Sequence, residues 1–350
     1  GKKKAEEAER EVEHLADEGF DDAWDDIDVD EDDDAICEKP VKRKDSIENS
    51  SQKINISGPR VTAGGKHMIY TIENEFLRVS AEDSGAELRS ITLRKNGKEF
   101  LWQGDPSVWY GRAPVLFPVV GQLLDGKYSY NGREYELAKH GFARRSVFTF
   151  KEQSGDSMTF SLASSDATRK SYPFEFELLI TYSVSGRALT CTSTVINKTD
   201  GEMYFSVGAH PAFNCKIGDA LEFEKPETAR VMKIDSSSLI MDGTFPAELE
   251  NGRTLRLTEH LFDEDVLIFE RLNSESVRLI CGDRTLKFTF GKAPYLGLWA
   301  KPNAPYVCIE PWYGINDSHE KKGSIAEKRG IERLEKGETF SFDWTAELEG

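Results

Sequence analysis

Two histidines and one glutamate, widely separated along 350 residues, sit in settings suited to moving protons. His140 lies in Lys139-His140-Gly141-Phe142-Ala143-Arg144. His210 lies in Gly208-Ala209-His210-Pro211-Ala212-Phe213-Asn214, and Glu310 in Cys308-Ile309-Glu310-Pro311-Trp312-Tyr313-Gly314. Each polar residue is set among small or aromatic neighbours, within stretches that otherwise read as strand. Imidazole and carboxylate groups can accept and donate protons near neutral pH. Their spacing fits no local motif, so only a fold that brings distant strands together can make them one site.

Each has an ordinary alternative. His140 could be a hydrogen-bonded structural histidine, although Gly141 allows close approach of backbone or ligand. His210 follows small residues where a strand opens into a loop, and it could simply cap loop carbonyls. Glu310 closes the apolar run Tyr306 to Ile309, with Pro311-Trp312 read as a rigid turn; burial there would raise its pKa. Trp312 and Trp299 offer faces for apolar C–H surfaces, or fill a core. Arg112, in an apolar stretch, must be paired or face a cavity. Arg144 could orient an anion or hydroxyl. Asp265, among other acids, could accept a hydroxyl hydrogen bond or be merely solvated.

The elements that must position these groups are strands. From Met68 onward, short β-prone runs alternate with turns, including Asn96-Gly97 and Asn131-Gly132, which supply the positive φ angles of two-residue hairpins. Phe176 to Tyr182 alternates with period two, as in a sheet with one solvated face. Helices are expected only at Leu257 to Phe262 and, briefly, Ser324 to Ala326. Many closely spaced strands without a fixed repeat predict an all-β domain, a large β-sandwich, over residues 68–350.

Residues 1–67 differ in kind, with 20 Asp+Glu against 11 Lys+Arg and few apolar residues. They are expected to be a disordered acidic leader, with His67-Met68 readable as a junction. The whole chain carries a charge of −17, which argues against nucleic acid or an anionic membrane as partner. There is no apolar run long enough to span a bilayer and no apolar signal region. The five cysteines are odd in number and form no C-x-x-C pair, so reduced cytoplasmic thiols are expected. A histidine/glutamate metal site is conceivable, although no H-x-H or H-E-x-x-H pair occurs.

Taken in order, Gly111-Arg112-Ala113-Pro114-Val115-Leu116-Phe117-Pro118, the His140 block, the His210 block, and Leu296-Gly297-Leu298-Trp299 through Glu310-Pro311-Trp312-Tyr313-Gly314 resemble the aldose 1-epimerase (galactose mutarotase-like) family, in its bacterial LacX-type branch. The resemblance covers 68–350. It implies a supersandwich with an open sugar-binding cleft, no cofactor, and a monosaccharide substrate handled by a monomer or homodimer. It further implies that Glu310 takes the proton of the anomeric hydroxyl while His210 protonates the ring oxygen. His140 and Arg112 would hold the sugar, with Asp265, Trp312 and Arg144 as further substrate contacts. The Ala-His-Pro-Ala-Phe and Glu-Pro-Trp contexts depart from the better-known galactose mutarotases, leaving the hexose open. A phosphorylated hexose served by Arg112, Arg144 and Arg145 is one option. The competing readings are a non-catalytic carbohydrate sensor on the same fold and a glycoside hydrolase. The hydrolase would need two carboxyl groups about 5–9.5 Å apart.

Overall fold

More buried and less buried residues alternate through Phe176–Ser185, Ala188–Asn197 and Thr339–Glu349, so each strand turns one face inward. In the computed structural model, which describes residues 60–61 and 67–349 except 229, 321 and 322, these strands lie within a nine-stranded antiparallel sheet. A six-stranded sheet contains Leu267–Glu270, Tyr295–Trp299, Tyr306–Tyr313, Val207–Ala209 and Val115–Leu116 in that order, with Ala212–Asn214 also paired to Tyr306–Tyr313. Aromatic pairs join the two sheets face to face, among them Phe213 with Phe288 at 5.5 Å and Tyr313 with Phe342 at 5.0 Å. A five-stranded sheet from Arg60–Val61 to Lys98–Glu99 shares the main apolar core. The domain is an all-β sandwich, as the strand pattern predicts.

The Asn131-Gly132 turn forms as expected, whereas Asn96-Gly97 closes a four-residue loop between the paired Leu93 and Lys98, with only Gly97 at positive φ. Asn131 (φ 48°) and Gly132 (φ 74°) join Lys127–Tyr130 to Arg133–Glu136, with both central residues at the positive φ such a turn needs. Three expectations need correction. Leu257 to Phe262 is not a helix: Leu257 exchanges backbone hydrogen bonds with Gly218 and Asp219, and turns follow. Among the described residues the α-helix is Asp166–Ser171, started by a capping box between Ser165 and Thr168. Nor does Pro311 end its strand, which runs unbroken from Tyr306 to Tyr313. The expected leader, apart from 60–61 and 67, lies outside the described residues. Arg60–Val61 pairs with Met68–Ile69. Among the described residues no helix is long and apolar enough to cross a membrane.

Tyr306–Tyr313 is buried along nearly its whole length on both faces. Its odd-numbered residues turn toward the nine-stranded sheet. Tyr306, Cys308, Glu310 and Trp312 turn the other way, onto a face covered partly by a second apolar cluster including Leu116, Ile268 and Tyr295. Trp312 fits there because glycines lie under its indole: Gly208 directly across one strand and Gly297 diagonally across the other. A Cβ on Gly297 would stand 2.9 Å from the indole, and one on Gly208 equally close. Gly297→Ala is therefore expected to overpack this face and destabilise the protein by about 1–3 kcal/mol in urea denaturation. An unchanged midpoint would show that the indole is free to move aside.

Candidate active site

Antiparallel pairing places His210 opposite Glu310. Val207 and Gly208 pair with Tyr313 and Trp312, and Ala212 and Phe213 pair with Cys308 and Val307. The same register continues across the interruption between the two short strands, so His210 and Pro211 face Glu310 and Ile309. The Ile309 N–H donates to the Pro211 carbonyl at 3.1 Å. Alternate residues of a strand direct their N–H groups to the same side, so the N–H that Pro311 lacks falls where the partner is interrupted. Proline is tolerated there, as at a bulge. Glu310 thus lies inside a strand, not at its end.

The His210 Nε2 lies 3.3 Å from Glu310 Oε2, but the groups are not aligned as a hydrogen bond. The Glu310 side chain is 1% exposed and that of His210 is 12% exposed. Neither carboxyl oxygen of Glu310 has a hydrogen-bond partner, nor has Nδ1 of His210. Burial pushes the Glu310 carboxyl well above its ordinary range. The indole of Trp312 offsets part of this without completing a hydrogen bond, nearby Asp265 adds to it, and Lys139 opposes it. Burial also lowers the His210 imidazole to about 3, with Arg144 and Lys139 acting in the same direction.

His140 meets this pair edge-on, its ring centroid 5.8 Å from that of His210. Its loop is held tightly. The His140 N–H donates to the Gly121 carbonyl, and the Gly121 N–H donates to His140 Nδ1, both at 3.0 Å. Accepting at Nδ1 fixes the neutral tautomer with its proton on Nε2. Burial keeps this imidazole neutral, far below its usual pKa, and Arg144 and Lys139 reinforce that. His140 and Gly141 both have positive φ, and a Cβ on Gly141 would stand 2.3 Å from the Phe117 carbonyl oxygen, so this corner needs glycine.

Aromatic rings wall the other side. Trp109 stacks on His210 with centroids 5.2 Å apart, while Trp299 meets the same imidazole edge-on at 5.7 Å. The Trp102 indole fixes the Trp109 backbone by donating to its carbonyl at 2.9 Å. Trp312 is only 2% exposed and wedged between glycine-bearing strands, whereas Trp299 is partly exposed.

The other residues singled out from sequence are distributed as follows. Half-buried Asp265, at φ 69°, accepts from the Val266 N–H at 2.6 Å and influences Glu310 electrostatically. Arg144 donates to the Lys139 carbonyl at 2.9 Å and bears on both histidines, while Arg145 is exposed. Arg112 is packed near Gly104, its charge set against Arg89, Glu87 and Glu82 rather than against the His210–Glu310 pair. Its Nε and Nη1 are buried without hydrogen-bond partners. The Arg112 carbonyl accepts from the N–H of Ala212, two residues beyond His210. Sequence reasoning passed over Trp109, Lys139 and Cys308. Each adjoins or lies within a block already recognised, which is the only signal that could have found them.

Comparison with known proteins finds relatives in sequence and in fold. The profile of the family described as aldose 1-epimerase matches residues 68–312. The plasmid-encoded Protein LacX of Lactococcus lactis subsp. lactis is 33% identical over 285 residues, covering 76% of this chain and 95% of the relative. The crystal structure of a galactose mutarotase related enzyme from Lactobacillus acidophilus superposes with a TM-score of 0.76 at 33% identity, covering 81% of this chain and 98% of that one. A galactose mutarotase-like protein from Lactobacillus casei superposes at 0.75 with 26% identity, covering 80% and 100%.

The buried carboxyl carries a consequence for stability. Because burial raises the folded-state pKa of Glu310, its contribution is fully present below the ordinary carboxyl pKa and is lost as pH rises through the folded value. Glu310→Gln is thus expected to be more stable than the parent at pH 8, by about 1–3 kcal/mol, with the advantage fading toward pH 4. Urea denaturation across that range checks it; an advantage independent of pH would mean the carboxyl's ionisation is not responsible.

Proposed function

This chain belongs to the aldose 1-epimerase family, whose members act on small sugars, and on that premise we propose that it interconverts the α and β anomers of a hexose by opening and reclosing the pyranose ring. The observation that carries this reading is the His210–Glu310 pair, 3.3 Å apart on a largely buried, aromatic-walled floor. The anomeric hydroxyl and the ring oxygen are bonded to the same carbon. An acid and a base serving them must therefore also lie close together.

In the proposed step, the Glu310 carboxylate takes the O1 proton as imidazolium His210 gives its proton to O5. The C1–O5 bond breaks, O1 becomes the aldehyde oxygen, and O5 becomes a hydroxyl. Rotation about C1–C2 and reversal of both transfers close the ring with the other configuration. Opening converts carboxylate and imidazolium into carboxylic acid and imidazole, the uncharged form that burial favours. Desolvation thereby assists the opening step, and the two forms contain the same number of protons. His140 is proposed to donate from Nε2 to a sugar oxygen, Arg112 and Asp265 to hold hydroxyls, and Trp299 with Trp109 to line the apolar sugar face. Trp312 would set the environment of Glu310 from beside it. Arg144 and Lys139 add positive charge beside both histidines, which supports including phosphorylated hexoses among the candidate substrates.

Polarimetry of freshly dissolved α-glucose, α-galactose and their 6-phosphates tests the proposal. Glu310→Gln and His210→Asn are each expected to reduce the enzymatic rate roughly 10²–10⁴-fold. If the parent protein leaves every sugar at its buffer rate, the proposal fails.

The pair is competent only while it holds one exchangeable proton. Its acid limb should fall far below the ordinary imidazole range, because His210 is lowered to about 3. Its alkaline limb should lie above the ordinary carboxyl range, because Glu310 is raised. A rate that does not fall as pH is lowered through 6.5 is the expected outcome, and an acid limb half-maximal there would contradict it.

A further inference from the structure

The strand register that opposes His210 to Glu310 also brings in a third group, which the proposed proton transfers do not use. Cys308 is two residues before Glu310 on the same strand and shares its face. The ligand atoms of His210, Cys308 and Glu310 all lie within 4.8 Å of one another. We propose that these three side chains form a seat for a borderline divalent cation of the Zn²⁺ or Co²⁺ type at the buried His210–Glu310 pair.

The donor set is one imidazole nitrogen, one sulfur and one carboxylate oxygen. Sulfur and imidazole favour zinc-like ions, whereas magnesium and calcium favour oxygen donors. Bonds of about 2.0–2.3 Å in a tetrahedral arrangement place ligand atoms about 3.3–3.8 Å apart. The imidazole and carboxylate already meet that spacing at 3.3 Å, and the thiol needs to move by no more than about 1 Å. Both Glu310 oxygens are buried without hydrogen-bond partners, so binding breaks no existing bond to them. Three protein ligands leave the fourth position for water or a sugar oxygen. On binding, the Cys308 thiol releases its proton to solvent and a metal–sulfur bond forms, as does Glu310 from its acid form. Affinity should therefore rise with pH. No short ligand motif exists because the donors come from two strands about a hundred residues apart in sequence.

A metal held here would occupy the proposed proton-transfer pair, so its effect on turnover rests on the proposed function, while its binding does not. Co²⁺ titrated anaerobically into the full chain at mildly alkaline pH is expected to give thiolate-to-cobalt charge-transfer absorption that saturates at one equivalent and is bleached by Zn²⁺. Cys308→Ser should abolish that absorption. His210→Asn, should the serine variant fail to fold, should weaken cobalt binding roughly tenfold or more. Absence of the band in the parent, its survival in folded Cys308→Ser, or unchanged affinity in His210→Asn would each overturn the site. In the activity arm, Zn²⁺ should inhibit anomer exchange in the parent. A cobalt band in a protein with no exchange activity would refute the catalytic proposal while upholding the metal seat.

Discussion

The candidate site depends on one continuous strand facing an interrupted one. Tyr306–Tyr313 runs unbroken, while the chain opposite it pairs as Val207–Ala209, departs at His210-Pro211, and pairs again as Ala212–Asn214 without losing register. The interruption releases an imidazole from the sheet at the level of the carboxylate across from it. Without it, His210 would be a ladder residue; without the preserved register, it would face a different neighbour. Pro311 belongs to the same device, since its missing N–H falls beside the break.

Holding that carboxylate in place requires an environment that does not solvate it. Aromatic rings, two glycines and the second apolar cluster surround the pair, leaving Glu310 without a hydrogen-bond partner. Buried polar groups in that condition are destabilising, so this part of the fold is better explained by chemistry than by stability. The same desolvation moves the imidazole and the carboxyl toward their uncharged forms. Burial is therefore both the structural liability and the source of reactivity.

Secondary-structure patterning was legible where it is local. The alternating strands around Phe176–Ser185 and the Asn131-Gly132 hairpin follow from side-chain period and positive-φ geometry, and both formed, whereas Asn96-Gly97 lies in a longer loop. Reading failed where a distant partner decided the outcome. Leu257 is held by backbone bonds with Gly218 and Asp219, far earlier in the chain. Pro311 continues a strand because of a gap across from it. Trp109 reaches His210, and Lys139 bears on all three titratable groups, through loop paths that no spacing reveals.

By itself, the sequence determined most of the long strands, the Asn131-Gly132 turn, and which blocks carry imidazole and carboxylate groups. Those properties arise from backbone sterics, side-chain alternation and composition, all of which act over a few residues. Only the tertiary structure decided that residues 210, 308 and 310 share one buried face, and how far their protonation is displaced. Register between strands a hundred residues apart is set by the whole sheet, and desolvation by everything packed around it.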